Sequence, residues 1–484
     1  MAKSPSRSSA VLRVVAADPG TEIFVMNDRF ERVAQGAHEL DVPLEPGLYK
    51  VRFRAGTSMR DVLTELTPGT TPTLVTMGPL EFANAAPILA TTATHEYQRT
   101  PAEELSRSLQ TDIRTSSRLM LFVRDPQEGD TPGDLSAVEM RSIAGDPLTR
   151  HGLVERSNAD QRFAGWNADV RPGTYRLRVQ TGASGLFEMF VRAQSGWQTA
   201  VFLMTEDFPF GGQSVRRPAL RSASILMCDP KRGFDPSDPN NRLAEQAKLA
   251  LQYARPAIWG DTVRELVKAK GANPMLGIFG LHLGLLDTKP DRALLTTVVR
   301  NLAGMIPGHI DVDAARMDSR LPDHLRRRSI QFTTPPMLRS SWNLITHATI
   351  KQPSLVPAGS LMDYIAEWQM ARGPWFLARV PTSSEPGAAV DGRYATERFN
   401  ELCRAVNDSA RKAAINERLA ASPGLGALQR GLLGTATGWA EEAGLGARLK
   451  LKAPTVKDVV TYFHIPACTV ARTSTTLLEW VLKG

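Results

Sequence analysis

A nucleophilic thiol needs a neighbouring base to lower its pKa, and the chain offers three cysteines, Cys228, Cys403 and Cys468, set far apart. Cys403 and Cys468 fall in apolar stretches of helical spacing, which predicts buried structural thiols. No histidine is expected beside any of the three in a cleft. The eight histidines form no metal spacing. His38 and His95 each precede a glutamate, but neither is followed by a second histidine one turn later. Asp311 and Asp313 lack the glycine and distal carboxylate of a calcium loop, and are expected to cap the helix carrying Ala314 and Ala315. Ser184 in Gly182-Ala183-Ser184-Gly185 has the wrong spacing for a nucleophile elbow. Gly277, Gly280 and Gly284 interrupt Leu, Ile and Phe at helical spacing, with no preceding strand and no Lys-Ser/Thr. They predict close helix packing rather than a phosphate loop. The expectation is therefore no catalytic residue, no cofactor and no metal.

The sharpest spacing lies in the tail, Thr455-Val456-Lys457-Asp458-Val459-Val460-Thr461-Tyr462-Phe463-His464-Ile465-Pro466-Ala467-Cys468-Thr469-Val470-Ala471-Arg472. It resembles the helix-turn-helix of LacI-type repressors without gaps. It departs from them at Val460, where a small residue stands, and at His464, where glycine occupies the turn. The resemblance implies that Ala467, Thr469 and Arg472 face a major groove while Lys457 and its neighbours reach phosphates. The alternative is a helical hairpin closing the C-terminal part, with Val459, Ile465, Val470 and Leu477 in its core and Cys468 inside.

The elements that must carry these residues are strands first and helices later. Val11 to Val15 reads as a strand closed by the turn Asp18-Pro19-Gly20. Leu44 to Gly56 places Pro46-Gly47 at a turn, then alternates Tyr49, Val51 and Phe53 with Lys50, Arg52 and Arg54. That alternation predicts a strand with one face in a core and one cationic face in water. The pattern recurs at Val170 to Gly182, residue for residue, with Pro172-Gly173, Tyr175, Arg176 and Arg178 in the matching places. Thr73–Met77 and Thr199–Met204 correspond as late apolar strands. The repeated phrase resembles the PEGA family of small β-sandwich modules, over about 11–82 and 117–204. That resemblance implies a binding or spacer module rather than a catalyst.

Between the copies, Thr100-Pro101-Ala102-Glu103 has the form of a capping box with Pro at the first helical position. Residues 206–241, rich in Pro, Gly, Ser and Asp, read as a linker. Beyond them the apolar period lengthens: Leu243, Ala247, Ala250, Leu251 and Ala254 share a face, as do Leu294, Leu295, Val298, Val299, Leu302 and Met305. Further helices are expected near 335–349, 359–371 and 394–420.

The expected fold is a multidomain β-then-α chain: two tandem β-sandwich modules followed by an α-helical domain. Its parts are a disordered N-terminus at 1–9, modules at 10–91 and 117–205, a helical connector at 92–116, the linker, a helical domain at 242–450 and a C-terminal helical hairpin at 451–484. The 484 residues are 42% hydrophobic and 22% charged, which suits several packed cores. A net charge of +8 over this length is too thin to imply nucleic-acid binding by itself. Sparse cysteine, no secretory h-region and no long apolar run point to the cytoplasm, away from any membrane. The layout, with the phrase from Pro274-Met275-Leu276-Gly277 to Pro307-Gly308, resembles non-catalytic companions of caspase-like peptidases in bacterial defence and stress systems. It implies an adaptor or regulatory scaffold with a protein partner, such a peptidase first. The alternatives are a DNA-binding regulator using the tail and an enzyme of unrecognised class.

Overall fold

The computed structural model describes residues 10–56, 58–69, 71–89, 91, 96–111, 113–126, 133–180, 186–210, 213–252, 273–287, 290–327, 330–370, 373–380, 460 and 464–469. The N-terminus at 1–9, the helix expected at 394–420, the rest of the helical domain past 380 and most of the 451–484 hairpin lie outside them.

Seven strands build the first unit: β1 (Ala10–Ala16), β2 (Glu22–Met26), β3 (Arg32–Ala37), β4 (Glu39–Leu44), β5 (Gly47–Ala55), β6 (Ser58–Leu66) and β7 (Thr73–Met77). They form one sheet in the order β6-β5-β2-β3-β4-β1-β7. β1 runs antiparallel to β4 and parallel to β7. Because side chains alternate along a strand, Leu12, Val14, Ile23, Val25, Tyr49, Val51, Phe53 and Val75 all turn inward into one apolar cluster.

The second unit keeps most of these pairings but, unlike the first, divides them between two sheets, with β8 (Ser117–Arg124), β9 (Val138–Ser142), β10 (His151–Asn158), β11 (Phe163–Val170), β12 (Gly173–Gln180), β13 (Leu186–Ala193) and β14 (Gln198–Phe210). β8 pairs antiparallel with β11 and parallel with β14, as β1 does with β4 and β7. β12 lies between β9 and β13, as β5 lies between β2 and β6. The repeated phrases thus occupy equivalent strands. In both copies the tyrosine hydroxyl donates to the carbonyl four residues back: Tyr49 to Glu45 at 2.8 Å, Tyr175 to Arg171 at 2.6 Å.

The linker expected at 206–241 is corrected. β14 runs on to Phe210 and pairs with β15 (Gln213–Pro218), and β16 (Ser224–Cys228) pairs with the start of β14. Every residue of β16 is buried. A strand covered on both faces shows no alternation, so its Ile-Leu-Met run was lost among turn residues.

Among the described residues the helical part is smaller than the β part. α1 (Glu96–Ser106) begins ahead of the expected cap, so Pro101 lies inside it. It is followed by α2 (Pro239–Gln252), α3 (Pro274–Leu286), α4 (Arg292–Met305), α5 (Ile310–Ala315), α6 (Arg339–Ala348) and α7 (Leu361–Ile365). Gly277 and Gly280 are buried within α3, whose N-cap Asn273 accepts from Met275 N–H. Asp311 and Asp313 sit in the first turn of α5, and the capping side chain is His309 instead. The stretch expected as one helix at 359–371 holds α7, a single 3₁₀ turn and a short strand, β17 (Gln369–Met370). A last strand, β18 (Leu377–Val380), lies between β17 and β13.

Phe122, Val201, Ile225, Phe279, Val298 and Leu377 belong to one apolar cluster. The second β unit and the helices therefore share a core, and no domain boundary falls at 205 or 241. The first unit keeps its own core. It is tied on by Arg242 of α2, which grips Asp18 with two hydrogen bonds of 2.8 and 2.7 Å.

Candidate functional site

Burial pushes the Cys228 thiol up to about 12, with Asp238 and Asp229 adding to the shift. Cys468 is pushed up to about 11, again first by burial and then by Asp363. Both thiols stay protonated at neutral pH, where a nucleophile must ionise. Cys403 lies outside the described residues. Among the described residues, no three His, Cys, Asp or Glu side chains gather as a metal site, and no helix is long and apolar enough to cross a membrane.

A serine–histidine–aspartate cluster that sequence reasoning missed joins α3, α5 and α6. Ser340 Oγ lies 3.0 Å from His282 Nδ1, while His282 Nε2 faces Ser341 Oγ and the Asp311 carbonyl, each at 3.1 Å. The Asp311 carboxylate accepts from Leu338 N–H at 2.9 Å and Met337 N–H at 3.3 Å. Burial lowers His282 to about 4 and His309 to about 3, and raises Asp311 to about 6. These are the residue types of acyl transfer, but a triad needs its base oriented by the carboxylate and its nucleophile open to substrate. Here the ring meets the Asp311 main chain, and His282, Asp311, His309 and Ser341 are all buried. The cluster pins three helices together.

The described residues of the tail, 460 and 464–469, pack inward. Val460 and Ile465 join the core around Trp342. Thr469 is buried and donates to the Asp363 carboxylate at 2.7 Å. Ala467 N–H donates to Thr349 Oγ1 at 3.1 Å. His464 takes the left-handed φ of 49° that a turn glycine would supply, and its carbonyl accepts from Trp342 Nε1 at 2.5 Å. Thr469 is thus withdrawn from any groove in this arrangement, and Ala467 is half-buried. Lys457 and Arg472 lie outside the described residues.

The surface that distinguishes the two β units is the outer face of the strand pair after the Pro-Gly turn. In the first unit Lys50 and Arg52 of β5 converge on Asp61 of β6, at 2.6 and 2.7 Å. In the second, Arg176 and Arg178 of β12 converge on Glu188 of β13, also at 2.6 and 2.7 Å. Arg52 stands directly opposite Asp61, and Arg178 directly opposite Glu188. The alternating cations are therefore half of a clamp whose carboxylate comes from the next strand. In the first unit the clamp is half-open, and its cations hold the Asp61 carboxyl well below the usual carboxylate range. In the second, the expected cationic face in water is corrected, because Arg176 and Glu188 are buried.

What buries the second clamp is the chain itself. Phe190, opposite Arg176, is 0% exposed and packs against Phe376 at 6.1 Å, which stacks on Trp342 of α6 at 4.1 Å. β18 extends the same sheet by pairing with the free side of β13. The first unit has no such cover among the described residues. Leu63, the counterpart of Phe190, is 69% exposed, with Met59 and Leu48 exposed beside it.

No family model and no curated protein matches the chain. Among solved structures, the Bacillus anthracis TIE protein is similar over 39% of this chain and 32% of that one, at 9% identity and a TM-score of 0.16, a likeness too slight to carry any argument.

Proposed function

We propose that the chain is a non-catalytic adaptor or scaffold that binds a protein partner through the outer face of its first β unit. In this reading the two β units are tandem copies of one small PEGA-like sandwich. One copy is closed by the chain's own helices, and the other is left to be closed by a partner. The observation that supports it is the contrast between Phe190 and Leu63, the same position buried in one copy and exposed in the other. Scattered exposed apolar residues are ordinary, but Leu48, Met59 and Leu63 share the outer face of one strand pair, and grouped apolar residues mark interaction sites.

A caspase-like peptidase of a bacterial defence or stress system, met in the cytoplasm, is the partner implied by the layout of the chain. The test is a binding titration with the peptidase encoded nearest to this gene. Leu63→Arg is expected to weaken binding at least about tenfold, as the loss of a central apolar anchor does. The melting temperature should stay as in the parent, because the side chain lies in solvent. Unchanged affinity in a folded Leu63→Arg protein would remove this face from the function.

A further inference from the structure

The second β unit records what the outer edge of such a strand pair accepts. β18 lies against β13 with Val380 opposite Leu186, Arg379 opposite Phe187, Ala378 opposite Glu188 and Leu377 opposite Met189. Transferred through the shared pairing register, those four positions correspond to Met59, Arg60, Asp61 and Val62 of β6. β6 ends its sheet and is nine residues long. A long exposed edge is a template for another strand. Charge usually blunts such edges; here Asp61 is already clamped by Lys50 and Arg52, and Arg60 is an exposed charge that an added strand would have to match.

The main chain of β6 is also poised for pairing. Ala55 and Ser58 close a two-residue connection, so they form a hydrogen-bonded pair. Bonded and non-bonded pairs alternate from there. Met59, Asp61 and Leu63 therefore aim their N–H and C=O groups away from β5, toward the open edge.

Resting on the adaptor reading above, we propose that β6 takes up an extended segment of a partner protein as an added antiparallel strand. The counterpart residues define its chemistry. It carries apolar side chains opposite Met59 and Val62, a small one opposite the clamped Asp61, and a carboxylate opposite Arg60. Arg60 is exposed and makes no ion pair among the described residues, so a cation in the place of Arg379 is disfavoured there and an acid favoured. Main-chain bonds supply affinity in such strand addition, and alternate side chains supply choice.

The test uses the full chain and two labelled peptides: residues 373–380, and the same peptide carrying Arg379→Glu. Anisotropy should show the Arg379→Glu peptide binding about tenfold tighter at low salt, with the difference shrinking as salt rises. Hydrogen exchange should show new protection at the Met59, Asp61 and Leu63 amides when that peptide is bound. Leu63→Pro, which removes an outward N–H that β5 does not use, should weaken the peptide at least about tenfold, whereas Leu63→Thr should stay within about threefold. Both variants must melt cooperatively near the parent temperature.

The proposal is overturned if neither peptide protects those amides. If Leu63→Arg still disrupts the partner in that case, the adaptor reading stands and only strand addition falls. It is overturned as well if the amides are already protected in the free chain, because a segment of this chain then fills the edge. A dimer that dissociates on Leu63→Pro would assign the edge to a second copy, and would equally overturn it.

Discussion

Asp61 and Glu188 perform the same task at different depths, and the difference sets what their loss costs. Glu188→Gln leaves the buried Arg176 without its counter-charge, so a loss of about 3–5 kcal/mol is expected. Asp61→Asn opens a clamp that water already reaches, and a loss under about 1 kcal/mol is expected. Denaturant titration of both variants checks the ordering; equal losses would mean that the second clamp is no better sealed than the first. Tyr49 and Tyr175 are each 8% exposed, so Tyr→Ala at either site should cost about 3 kcal/mol. Tyr→Phe, which deletes only the bond to the carbonyl four residues back, should cost about 1 kcal/mol. The tyrosines and alternating cations were legible in the sequence because they repeat within a single strand. The carboxylates were not, because each lies across a hairpin, and one is Asp where the other is Glu.

Hairpins and helices meet at Gly56, which has a φ of +61°, and a Cβ built there would lie 2.6 Å from Leu249 Cδ1 on α2. Gly56→Ala is therefore expected to destabilise the chain by about 1–3 kcal/mol, from backbone strain and from the forced shift of the Leu249 side chain. A melting curve unchanged by that substitution would show that the contact gives way freely. The helices carry a second expectation, in pH. His282, His309 and His464 are held at about 4, 3 and 4 by burial, below their ordinary 6.5, so on acidification the unfolded chain protonates first. Their contribution is fully present above about 6.5 and is lost as pH falls toward 4. Asp311, raised to about 6, acts oppositely, because the folded chain holds its proton between about 3.8 and 6. Three histidines outweigh one carboxylate, so the melting temperature should drop between pH 6.5 and 4. His309→Leu should flatten that drop; a melting temperature that rises on acidification would contradict the assignment. None of this cluster was visible beforehand, because His282, Asp311 and Ser341 approach through the packing of three helices and not through any local spacing. The helices themselves were legible where the apolar period is long, as in α4, and illegible where strands interrupt them, as at β17 and β18.

The order of the whole chain, strands and then helices, follows from its change of period, whereas the division into independent parts does not. The first unit owns its core, which ends at Phe82, while the second shares its core with α2, α3 and α4. A fragment of residues 1–83 should melt cooperatively by itself, and one of residues 117–228 should not; calorimetry of the two would reverse this assignment if the second alone were cooperative. The shared core escaped sequence reasoning because it is assembled from Ile225, Phe279 and Leu377, which are remote in the chain. The parallel pairing of each unit's first strand with its last has a mechanical meaning. β1 and β7 are matched from Leu12–Thr73 to Ala16–Met77, and β8 and β14 from Arg118–Gln198 to Arg124–Met204. Tension entering at the head of the first strand and leaving at the foot of the last pulls the two past each other lengthwise. The rungs must then yield together instead of peeling singly, so each unit is built to resist stretching along its own axis.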